Sequence, residues 1–205
     1  MPTVTVQFLF DFGSPNAYLS HKVIPAIEAR TGAVFEYVPI LLGGLFKLSH
    51  NRSPIEAYAE IPNKLAYVRL EMKRFVARHG LSKFQFNPHF PVNTLQIMRG
   101  ACAAQELGCL PAYVEAMFAA LWEDGRKMDD LPTIIGTLDA AGLDTQALLG
   151  LSQDPTIKAR LMANTQQAFE QGAFGAPSFL IGRELWFGKD QLRDVEDEIL
   201  RLSAA

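Results

Sequence analysis

The chain opens on an almost unbroken apolar run. Val4 to Phe12 is β-branched and aromatic, too hydrophobic for a strand with one wet face, so it predicts a buried central strand of a parallel or mixed sheet. Gly13 ends it. Ser14-Pro15 then supplies an N-cap and a first-turn proline, and Tyr18, Leu19, Val23, Ile24 and Ile27 recur at helical spacing up to Thr31-Gly32. Pro25 lies inside that pattern and predicts a kink. A second strand, Val34 to Ile40, completes a β-α-β unit, for which the right-handed crossover is the default.

The pattern changes near Ile55. From there to Ala168 one helical period follows another, punctuated at Gly80, Asn87-Pro88-His89-Phe90-Pro91, Gly108, Gly125, Gly142 and Asp154-Pro155. The tail returns to strand: Ser178 to Ile181, a turn at Gly182-Arg183, and Glu184 to Phe187 form a hairpin. A last amphipathic helix from about Asp190 to Leu202 sets Leu192, Val195, Ile199 and Leu202 on one face. The expected architecture is α/β, with residues 1–54 and 169–205 forming a sheet domain and 55–168 an all-helical insertion.

Composition removes several classes of function. The 205 residues are 49% hydrophobic and 20% charged, enough for a substantial core and incompatible with disorder. The net charge of -3, with signs interspersed, offers no basic stripe for nucleic acid. No apolar run approaches the ~20 residues that span a bilayer, and the N-terminus lacks the features of a secretory signal, so a cytoplasmic protein is expected. His21, His50, His79 and His89 fall at no metal-ligand spacing. Two cysteines build no disulfide framework, and Cys102 and Cys109, seven positions apart, read as packing residues.

Three features could carry chemistry. Ser14 stands where a strand feeds a helix N-terminus, a place that suits an anion; it is equally a plain helix cap. No Gly-x-Ser-x-Gly elbow surrounds it, so a serine hydrolase gains no support. Pro177 lies at the mouth of a strand, either as an ordinary trans proline or as a cis bond that turns the Ala176 backbone out to pair with a bound peptide. Phe84, Phe86 and Phe90, around Asn87, are core or the wall of a flat apolar pocket. Glu71, Lys73, Arg74 and Arg78 read as a solvated helix face.

The segments Phe10-Asp11-Phe12-Gly13-Ser14-Pro15-Asn16-Ala17-Tyr18-Leu19, Asn51-Arg52-Ser53-Pro54, Asn63-Lys64-Leu65-Ala66-Tyr67, Phe86 to Asn93, Gly172 to Pro177 and Phe187 to Leu192 together resemble one family. It comprises the 2-hydroxychromene-2-carboxylate isomerases and kappa-class glutathione transferases, within the DsbA-like branch of thioredoxin folds, and the resemblance covers essentially the whole chain. It implies a thioredoxin-like sheet split by a helical insertion, glutathione as cofactor, a small aromatic substrate and a homodimer. By resemblance Ser14 occupies the place of a catalytic cysteine and stabilises the glutathione thiolate. Ala176, before Pro177, would pair with the cysteinyl backbone, Asp190 would bind the γ-glutamyl ammonium, and Lys189 would lend backbone N–H groups. Asn51 and Lys64 would make the remaining polar contacts, and Phe84, Asn87 and Phe90 would line the substrate pocket. Gln191 departs from the pattern, since relatives often carry Arg there, which bears on how firmly the glutamyl carboxylate is held. Two other functions stay open: a kappa-like transferase or peroxidase, and a non-catalytic thioredoxin-fold module that binds peptides.

Overall fold

A computed structural model describes residues 3–204. β1 (Thr5–Phe10) leads through α1 (Pro15–Thr31) to β2 (Val34–Pro39), which lies parallel to it with Thr5 opposite Val34. β3 (Ser178–Ile181) adds antiparallel to the other side of β1, Gln7 opposite Leu180, and β4 (Glu184–Phe187) closes the hairpin, giving the order β2-β1-β3-β4. The alternation of β1 divides the interior. Val6, Phe8 and Phe10 enter a large cluster with α1, α5 and α6, whereas Leu9 enters a smaller one with Ile40, Leu45, Ala168 and Leu180. Both faces of the strand are therefore covered over Phe8–Phe10, which is why that stretch is apolar, while on the face of Leu9 Gln7 is half-buried and Thr5 exposed. Each of the phenylalanines buried there contributes about 1.5–3 kcal/mol.

Between β2 and β3 lie only helices: α2 (Leu42–Leu48), α3 (Pro54–Ala57), α4 (Pro62–His79), α5 (Leu95–Glu106), α6 (Leu110–Trp122), α7 (Leu131–Ala140), α8 (Thr145–Ser152) and α9 (Pro155–Glu170). None is long and apolar enough to cross a membrane. The large cluster runs without a break from β1 through Phe118 and Trp122 of α6 to Leu148 and Leu161, so sheet and helices share one core.

α1 runs through Pro25 to Thr31, as its spacing predicts. Other boundaries differ from the expectations. The last helix comes in two pieces, a 3₁₀ turn at Lys189–Gln191 and then α10 (Leu192–Ser203), whose N-cap is Gln191. Asp190 lies inside the 3₁₀ turn, where its carboxylate accepts from Lys189. Cys102 is buried in α5, and Cys109 is the half-buried N-cap of α6.

Candidate active site

The site forms where β1 gives way to α1, and a carboxylate that the sequence does not single out organises it. Asp11 is buried, and its Oδ1 accepts from the Gly13 N–H at 2.8 Å and the Thr94 hydroxyl at 2.7 Å, while Oδ2 accepts from the Leu42 N–H at 2.7 Å. Burial pushes its carboxyl up, against the pull of those three donors. The turn is further fixed by Trp122, whose indole N–H donates to the Phe12 carbonyl at 2.8 Å.

Ser14, held by this turn, is 5% exposed. Its Oγ accepts from the Ala17 N–H at 3.2 Å and donates to the Ala176 carbonyl at 2.9 Å. It is therefore the helix cap and also the link to the other half of the site. The Ala176-Pro177 bond is cis, as is Phe90-Pro91. The Ala176 carbonyl is not free, since Ser14 occupies it; among the described residues its N–H has no hydrogen-bond partner. Asn16 Oδ1, two residues beyond Ser14, is buried and likewise without a donor among the described residues.

The other expected residues divide. The Gly188 N–H donates to the Pro177 carbonyl at 2.9 Å, which sets Lys189 and Asp190 beside the proline loop. The Asn51 side chain donates to the Phe174 carbonyl at 2.9 Å, placing it against the same loop. The Lys64 ammonium stands 3.9 Å from the centre of the Tyr58 ring. Lys189 is buried, paired with Asp190 and with Glu71, which is correspondingly no freely solvated residue. Phe84 stacks on Tyr18 at 5.7 Å, and Phe86 and Phe90 both meet Trp122. Asn87 has no polar group to spare. It is buried, its amide donates to the Leu121 and Arg126 carbonyls and its oxygen accepts from the His89 N–H, so it shapes the loop.

Open cavities of about 240 and 320 Å³ lie elsewhere, the first lined by Tyr18, Lys22, Lys83 and Glu123, the second by Gln96, Arg99 and Gln153; Ser14 lines neither. Burial pushes the Cys102 thiol up to about 11 and raises that of Cys109, so neither cysteine is a ready nucleophile near neutrality. Among the described residues no group of histidine, cysteine or carboxylate side chains is arranged to hold a metal.

The sequence profile of the DSBA-like thioredoxin domain matches residues 5–200. A 2-hydroxychromene-2-carboxylate isomerase from Sphingobium xenophagum is 27% identical over 198 residues, covering 97% of this chain and 99% of that protein. Glutathione S-transferase kappa 1 from Rattus norvegicus is 24% identical over 200 residues, covering 91% and 87%. A solved structure of a 2-hydroxychromene-2-carboxylate isomerase superposes with a TM-score of 0.83 at 26% identity, covering 97% of this chain and 96% of that one.

Proposed function

The chain belongs to the DSBA-like thioredoxin domain family, and from that premise we propose that it is a glutathione-dependent isomerase acting on 2-hydroxychromene-2-carboxylate or a related aromatic acid. The observation that carries this reading is the 2.9 Å hydrogen bond from Ser14 Oγ to the Ala176 carbonyl, which joins the N-terminus of α1 to the backbone before Pro177. Isomerase homologues that span the whole chain support it.

The unpartnered Ala176 N–H and Asn16 Oδ1 suit a short peptide, which brings both an acceptor and a donor. Ala176 pairs in β fashion with the cysteinyl unit, Asp190 takes the γ-glutamyl ammonium, the backbone at Lys189 contributes N–H groups, and Asn51 and Lys64 meet the remaining polar atoms. When bound, glutathione supplies the sulfur nucleophile for a ring opening and bond rotation that yields trans-o-hydroxybenzylidenepyruvate with no net redox change.

The protein's part is electrostatic. A thiol with an ordinary pKa of about 8.5 is mostly protonated at neutral pH. Ser14 lowers it by exchanging acceptors: its hydroxyl leaves the Ala176 carbonyl and donates to the thiolate, reinforced by the N-terminus of α1. The released carbonyl is then available to an N–H of the ligand, so the exchange leaves neither group unpaired. Phe84 and Phe90, with Phe86 between them, flank a flat substrate.

The test mixes protein, glutathione and the chromene carboxylate and follows the ultraviolet spectrum. Turnover should require glutathione, and turnover that persists without it overturns the mechanism. Ser14→Ala should lose the thiolate absorbance of bound glutathione and slow turnover roughly 10²–10³-fold, the scale of removing one preorganised donor. The kappa transferase relative favours a second reading, transfer of glutathione to electrophiles; faster reaction with model electrophiles than with the chromene acid would select it.

A further inference from the structure

α4 buries only Phe75 among its 18 residues, so packing alone gives it a weak hold on the body. Lys64, Val68, Glu71 and Phe75 recur at i, i+4, i+7 and i+11 and share one face of the helix. Phe75 is buried, Glu71 and Val68 are half-buried and Lys64 is exposed, so the face runs from the interior at Phe75 out to the surface at Lys64. Where it meets the sheet end of the protein stands Lys189, whose side chain is 1% exposed. Its ammonium donates to Glu71 Oε2 and to Asp190 Oδ1, the latter at 2.8 Å, and lies 4.9 Å from the centre of the Phe75 ring.

A buried ammonium is retained only when anions and hydrogen-bond acceptors surround it. Here it has two carboxylates, one from α4 and one from its own 3₁₀ turn. Burial pushes the Glu71 carboxyl up, Lys189 draws it down, and the adjacent Asp190 adds a like-charge push. The three ionised side chains sum to one negative charge, and the Asp190 side chain keeps 59% of its surface open to water. One oxygen of that carboxylate is thus fixed from behind while the group still faces outward.

We propose that Glu71 and Lys189 are positioning residues of the ligand site: the Lys189 ammonium, braced by Glu71, orients Asp190 toward the ammonium of the ligand. The same ion pair fixes the register of α4 and so the place of Lys64, two turns or about 10 Å along the helix at the exposed end of that face, where it meets a ligand carboxylate. The helical segment and the sheet end then read one carboxylate and the ammonium of one ligand at a set separation. This inference rests on the glutathione reading of the site.

Calorimetry with glutathione and with its analogue lacking the glutamyl α-amine separates orientation from mere support. Glu71→Gln should weaken glutathione about tenfold and erase the preference for it over the deaminated analogue. In an Asp190→Asn background the same substitution should change that preference less than twofold, because the group it acts through is already gone. A Glu71→Gln variant that weakens both ligands by one factor overturns the proposal and reduces Glu71 to a prop for α4. Thermal melts establish that each variant is folded. If Glu71→Gln is not, Glu71→Asp replaces it, and an unchanged preference in that folded variant is equally fatal. Failure of the unaltered protein to bind glutathione overturns the proposed function instead.

Discussion

Asp11 is where three segments converge: the strand-to-helix turn at Gly13, the start of α2 at Leu42 and the start of α5 at Thr94. α2 has no side-chain cap of its own, so Asp11 performs that task from a distance. Replacing it with Ala leaves two N–H groups and a hydroxyl without their acceptor. Asp11→Ala should therefore cost on the order of 3 kcal/mol, read as a lowered denaturant midpoint at unchanged slope. The contrast with Ser14 shows what one sequence discloses. A cap followed by proline is local chemistry, and Ser14 does accept from Ala17 three residues on. The partners of Asp11 at Leu42 and Thr94 lie 31 and 83 residues away, and nothing in the spacing announces them.

At the scale of elements, strands and long helices follow their hydrophobic periods closely, since period reports which face is buried. Short pieces do not. α2 forms over Leu42-Gly43-Gly44, a run that local propensity disfavours, because Asp11 and Thr165 bind the N–H groups of Leu42 and Leu41. Likewise the turn at Lys189–Gln191 reflects the pairing of Lys189 with Glu71, 118 residues earlier. One contact between elements is unforgiving. A Cβ on Gly100 of α5 would stand 2.0 Å from the hydroxyl of Tyr113 on α6, which is buried and donates to the Ile97 carbonyl. Gly100→Ala should force the two helices apart and cost about 1–3 kcal/mol by thermal or chemical unfolding, despite the better helix propensity of alanine.

At the scale of the molecule, α1 and α6 are tied by a cluster in which Glu115 pairs with His21 and Lys22. The His21 hydrogen bond, with Lys22 beside it, holds the Glu115 carboxyl down at about 2 against the usual 4.5. A carboxyl lowered on folding stabilises the native state above its unfolded value and loses that contribution as pH falls toward the folded one. Glu115 is 55% exposed, so water screens the pair and the effect stays below about 1 kcal/mol. Glu115→Gln should be less stable than the parent at pH 7, with the gap closing on acidification to pH 2, in parallel denaturant titrations. The sheet order carries a consequence for how the chain is made. β1 is flanked on one side by β2 within forty residues, but its other neighbour is β3 at Ser178–Ile181. At 5–20 residues per second that edge waits roughly 10–30 s for its partner, through the emergence of every intervening helix. During that interval an inner strand of the finished sheet is an open template for the wrong pairing, and early collapse of α5 and α6 onto it would shield it.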